Sequence, residues 1–235
     1  MHNVQQPNGI DVYFDWQAAQ WKGSQRRYVA EQMVPAFEYA HGYITSVLGL
    51  VPTTEVVRPY GTHRRTATRA VSMSPKMIEI YVTGDEVKHR KLAAADREMT
   101  GVFVHEMVHG IRETLFPYGH YGLVERIASE GLAYAAQAYA EIDIFDVDHA
   151  STVLGDRVDV SGLLEELYDD PYCDTHLHEH PDEEGALQNW FFAKNNLPYS
   201  WGQKLGIMCV LEMLEVHGCD FEQLLQMPAR DIIAP

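Results

Sequence analysis

The stretch VFVHEMVHGI, residues 102–111, sets two histidines four residues apart with a glutamate beside the first. It reads as helix, and a helix stacks residues i and i+4 on one face, so His105 and His109 can reach a single point. Glu106 is rotated about 100° from His105 at 3.6 residues per turn, and so flanks that point without occupying it. The three residues before His105, the two between Glu106 and His109, and Ile111 are all uncharged. The helix is therefore expected to be buried on both sides of the motif. Burying His, Glu and His without partners is costly, and a bound cation would supply the missing partner. The pattern matches a zinc site in which two imidazoles bind the metal and the glutamate acts as general base. The alternative is a pair of satisfied core histidines beside a paired Glu106.

Around this motif the pattern predicts a helix over residues 93–116, stopped by Pro117, and after the turn PYGHYG a second helix from Leu123 to about Ala140. Upstream, residues 1–14 read as an extended lead-in. From about Asp15 a helical period follows through Tyr28, Met33, Phe37 and Ile44, with Pro35 expected to kink or split it. Residues 54–60 and 77–83 read as strands, the second with Ile78, Ile80 and Val82 alternating against Glu79 and Tyr81. The basic, small-residue connection over 61–75 reads as a mobile hairpin or flap, or as a solvated loop. Residues 141–185 are acidic and irregular, with one amphipathic piece near Leu163 and Leu167. Residues 201–216 are helical again, and Asp220 with Gln223 resembles a capping box for a short last helix.

No internal repeat or low-complexity linker interrupts the chain, so one α+β domain is expected, mostly helical with a small twisted sheet before the histidine helix. Its parts are an N-terminal helical part (1–50), the sheet (51–90), a metal-binding helix pair (93–140), an acidic insert (141–185) and C-terminal helices (186–235). With 235 residues, 46% of them hydrophobic, the chain can build one well-buried core, or at most two small lobes around a cleft. A formal net charge of −16 argues against a nucleic-acid partner and against docking on an anionic membrane. No apolar run approaches the roughly 20 residues that span a bilayer. The opening residues lack a basic n-region followed by an apolar h-region, and the expected location is cytoplasmic. Cys173, Cys209 and Cys219 form no CxxC pair, so free thiols that serve packing are expected.

A catalytic zinc site takes a third protein ligand and leaves the fourth position to water. The extension HExxHxxGxxH is excluded, because Arg112 stands at its glycine and Leu115 at its last histidine. Candidates for the third ligand are Glu130, within ASEGLAY, and its rivals Glu113, His120 and Glu125. HExxH followed some twenty residues later by a helix-borne glutamate resembles the gluzincins, the thermolysin-like class of zinc peptidases. That resemblance implies a zincin-like fold, Zn²⁺ held by His105, His109 and Glu130, and Glu106 as the base. It also implies a peptide or protein substrate paired with a sheet edge at residues 77–83 or a neighbouring strand. The small residues Ser129, Gly131 and Ala133 would let the two metal-binding helices approach closely.

A narrower resemblance, over roughly residues 75–235, is to a bacterial family of predicted zinc-dependent proteases, carried by SEGLAYAAQAY and LPYSWGQKLGIMCVLEML. Two positions depart from these patterns. Tyr134 stands where thermolysin-like enzymes carry an aspartate, and Gln203 stands where an aromatic is expected. Both bear on the outer partners of the metal ligands and on the oxyanion donor. Candidates for that donor are Tyr134, Tyr118, Tyr121 and the cluster His176, His178 and His180, which could also hold a second metal or form a polar loop. Asp143, Asp146 and Asp148 lack the glycine and spacing of an EF-hand. Two other readings stay open: a non-catalytic binding or regulatory protein on the same scaffold, and zinc hydrolysis of a bond other than a peptide.

Overall fold

A computed structural model describes residues 3–5, 11–14, 28–62, 69–83, 92–117, 122–145, 160–169, 173, 190 and 201–233. The chain divides into two compact units, Met1–Thr114 with Ala140–Val147, and Leu115–Tyr139 with Asp148–Pro235.

The first unit contains a mixed five-stranded sheet in the order β1-β2-β3-β5-β4. Its strands are β1 (Asn3–Gln5), β2 (Asp11–Phe14), β3 (Val56–Thr62), β4 (Arg69–Ser74) and β5 (Met77–Thr83). The sheet is larger than the two strands expected, because the N-terminal lead-in pairs antiparallel with itself and then parallel with β3. Parallel neighbours need a long crossover, and the connection from β2 to β3 includes helix α1 (Val34–Ser46). β4 falls within the segment read as a mobile hairpin or flap, or as a solvated loop. It is an edge strand that forms a hairpin with β5, antiparallel through the tight turn at Pro75 and Lys76.

β3 carries Pro59, which has no amide hydrogen for a ladder bond. It is tolerated because, among the described residues, β2 pairs only with Val56 and Val57 and β5 alone pairs the rest of β3. The expected alternation of β5 holds for Ile78 and Ile80, both buried. Glu79 is buried as well. Tyr60 and Tyr81 donate their hydroxyls to its carboxylate at 3.1 and 2.9 Å, and Arg58 lies 3.6 Å away.

A π-helical stretch over Val29–Met33 leads into α1. Met33 keeps helical backbone angles (φ −69°, ψ −43°), so the helix changes from π to α just before Pro35, which is the split expected at that residue. The part of the expected helix before Tyr28 lies outside the described residues. Helix α2 (Leu92–Leu115) carries the histidine motif and packs on α1 through Phe37 and Phe103, whose rings meet edge to face at 5.2 Å. Gly110 brings α2 against the β4–β5 turn: a Cβ there would lie 2.9 Å from the Pro75 carbonyl oxygen.

The described residues of the second unit are helical. Helix α3 (Leu123–Phe145), whose residues from Ala140 on belong to the first unit, continues about one turn past its expected end, so Glu141, Ile142 and Asp143 belong to a helix and not to the acidic irregular segment. Asp143 accepts a hydrogen bond from the Tyr43 hydroxyl at 2.9 Å, which gives it a helical, hydrogen-bonded place rather than one in a calcium loop. Helix α4 (Val160–Asp169) buries Leu163 and Leu167, the amphipathic piece read from the sequence. Helix α5 (Trp201–Glu215) precedes α6 (Phe221–Gln226) and α7 (Ala229–Ile233). The capping box at α6 forms as expected, with the Gln223 amide donating to Asp220 at 2.8 Å and the Asp220 amide donating to the Gln223 side chain at 3.0 Å.

Helices α3 and α5 cross at Gly131 and Gly206. A Cβ on Gly131 would lie 2.3 Å from the carbonyl carbon and oxygen of Gly206. The glycine in SEGLA thus admits the C-terminal helix Trp201–Glu215, a partner the sequence reading did not assign to it. No disulfide joins the cysteines: Cys173 and Cys209 are buried and Cys219 is half-buried. Burial pushes the Cys209 thiol up to about 12, which makes it a packing group rather than a nucleophile. Among the described residues, no helix is long and apolar enough to cross a membrane.

Candidate metal centre

Helix α2 holds His105 and His109 on successive turns of one face. Their rings meet at 77° with centroids 4.7 Å apart, and 3.1 Å separates the two Nε2 atoms. Two nitrogens bound to one tetrahedral zinc at about 2.0 Å would be roughly 3.3 Å apart, so the imidazoles already hold a spacing that suits a shared metal. Glu130 on α3 completes the group. One ligand atom from each of His105, His109 and Glu130 lies within 4.8 Å of the others. Two imidazoles and one carboxylate are a donor set that suits zinc and leave a coordination place for water.

Burial sharpens this arrangement. His105 is 9% exposed and Glu106 7% exposed, while His109 and Glu130 are half-buried. A cation entering here would meet ligands already largely stripped of water on the α2 side, where electrostatic attraction is stronger than in bulk solvent. Glu106 is not one of the three residues in this group.

Two rivals of Glu130, Glu125 and Glu113, are not in this group. Glu125 is half-buried in the first turn of α3, five residues before Glu130 and so on a different face. Glu113 is on α2, 4% exposed, with its Oε1 atom lacking a hydrogen-bond partner. His120, Tyr118, Tyr121, His176, His178, His180, Asp146 and Asp148 lie outside the described residues. Tyr134 is half-buried on α3, and its hydroxyl oxygen accepts a hydrogen bond from Gln203 Nε2 at 3.2 Å. Reading the sequence singled out both residues as departures but did not link them. Their separation by 69 positions carries no periodic signal.

Burial raises the Glu113 carboxyl from its ordinary 4.5 to about 7. Between those values the unfolded chain gives up this proton while the folded chain keeps it, so stability falls as pH rises through that window and stays lower above it. Glu113→Gln removes the linkage. In metal-free protein the variant should melt close to the wild type near pH 4.5 and a few degrees above it at pH 8. Melting curves at both pH values test this; an equal gap at each would mean that Glu113 is not held neutral.

No protein-family model matches this chain, and no curated protein matches it. A solved structure does. The fold is similar to that of an aminopeptidase N family protein from Idiomarina loihiensis. The two superpose with a TM-score of 0.53 at 10% identity, over 96% of this chain and 39% of that one. At that identity the likeness concerns the fold, and this chain spans well under half the length of its neighbour.

Proposed function

We propose that this protein is a zinc-dependent peptidase. The observation that carries this reading is the convergence of His105, His109 and Glu130, with ligand atoms within 4.8 Å of one another, beside a buried Glu106. The fold likeness to an aminopeptidase N family protein supports it, since the same kind of scaffold serves a protein of that description.

In this reading His105, His109 and Glu130 hold the ion, which when bound would acidify a water molecule and polarise a substrate carbonyl. The Glu106 carboxylate accepts the proton from the attacking water at one of its oxygens and delivers it to the departing amine. The low exposure of Glu106 limits the bulk water that could compete for that proton. The substrate is a peptide. With a net charge of −16, the protein attracts neutral or basic peptides more readily than acidic ones.

Metal analysis of the purified protein tests the ligand set. Wild type should hold about one zinc per chain. Glu130→Ala should lower zinc affinity by tenfold or more, whereas Glu125→Ala should leave it unchanged. Equal affinity in the two variants would remove Glu130 from the ligand set, and a wild-type protein that takes up no zinc would remove the peptidase reading.

A further inference from the structure

Tyr134 lies one turn past Glu130 on α3, so the two side chains share a helix face. Long helical side chains lean back over the preceding turn, which aims the phenol towards the Glu130 level and not away from it. The hydroxyl of Tyr134 has one hydrogen to donate, and its oxygen already accepts from Gln203 Nε2 at 3.2 Å. With an amide donor on the oxygen, the phenolic hydrogen is directed elsewhere, and the accepted bond polarises the O–H into a better donor. Gln203 is itself fixed by the backbone. It stands three residues before Gly206, where α5 meets α3 without space for a single methyl group.

We propose that Tyr134 donates its phenolic hydrogen to the Glu130 carboxylate, and that Gln203 is the positioning residue that fixes this polarity. The inference rests on Glu130 being a metal ligand. A carboxylate that binds metal through one oxygen is oriented by a hydrogen bond to the other, and partners of this kind tune metal affinity. Tyr134 and Gln203 thereby form a relay: backbone contact fixes the amide, the amide fixes the phenol, and the phenol fixes the ligand.

Reversing the polarity of the relay tests it. In Gln203→Glu the side chain keeps its size but can only accept, so it takes the Tyr134 hydrogen and draws it away from Glu130. Tyr134→Phe removes the hydrogen outright. Zinc affinity, measured by competition against a colorimetric chelator, should fall roughly 10- to 100-fold in both variants. Their metal-free melting temperatures should stay near that of the wild type. An added negative charge by itself would tighten cation binding, so a weaker Gln203→Glu variant reports the lost polarity rather than electrostatics. Unchanged affinity in either variant, with wild type binding zinc, overturns this inference alone. Failure of the wild type to bind zinc overturns the ligand assignment and this inference with it.

Discussion

Replacing Glu106 by glutamine is expected to cut peptide turnover by roughly 10²- to 10⁴-fold while leaving zinc content at the wild-type level. The substitution keeps the shape of a side chain that is 7% exposed and removes its capacity to accept and return a proton. Because Glu106 points about 100° away from His105 around the helix, the metal ligands should not register the change. Turnover can be read by mass spectrometry on a mixture of unstructured neutral and basic peptides, with the metal counted by atomic absorption in the same preparation. A variant that cleaves at the wild-type rate would mean that another group moves the proton. A variant that loses zinc would place Glu106 among the groups that hold it. If neither wild type nor variant cleaves any peptide while both bind zinc, the binding or regulatory reading becomes the better one.

The parts of the site that were legible in the sequence are those set by local geometry. His105, Glu106 and His109 lie within five residues of one helix, and 3.6 residues per turn determines which of them face one point. Glu130 lies on another helix, and only the resemblance to gluzincins singled it out from Glu113 and Glu125. Glu113 had the same helix-face logic on its side, being one turn past His109, yet it is not in the group that could hold a metal. The link between Tyr134 and Gln203 depends on α5 folding back on α3, which no periodicity in either helix encodes.

The sheet divides along the same line. β5 was legible because Ile78 and Ile80 alternate with polar neighbours, whereas β1 has three residues, too few for a period. β4 was hidden by its basic surroundings, since composition speaks of solvent exposure and not of pairing with β5. Glu79 shows the limit of the alternation rule. It occupies the polar face as expected, but two tyrosine hydroxyls and Arg58 allow it to be buried there. The end of α3 was placed too early because acidic residues were read as a loop. Tyr43, which lies 100 positions from Asp143, supplies the hydrogen bond that ties down the last turn.

Gly131→Ala is expected to destabilise the protein by about 3 kcal/mol or more, lowering the melting temperature by roughly 6–12 °C. The new Cβ would fall 2.3 Å from the carbonyl carbon and oxygen of Gly206 and 2.7 Å from its Cα. These are backbone atoms in the middle of a helix, so no rotamer change can make room, and α3 and α5 must separate. Gly206→Ala meets the reverse clash, 2.2 Å from the Ile127 carbonyl oxygen, and should behave alike. Gly42→Ala on α1 is the matched control. Nothing lies within 4 Å of its Cβ position, and removing a helical glycine should there stabilise by about 0.5–1 kcal/mol. Two helical glycines, then, should respond with opposite signs to the same methyl group. A Gly131→Ala protein as stable as the wild type would mean that α3 and α5 do not touch at this point. It would also remove the support that holds Gln203 against Tyr134, next to the proposed metal ligand.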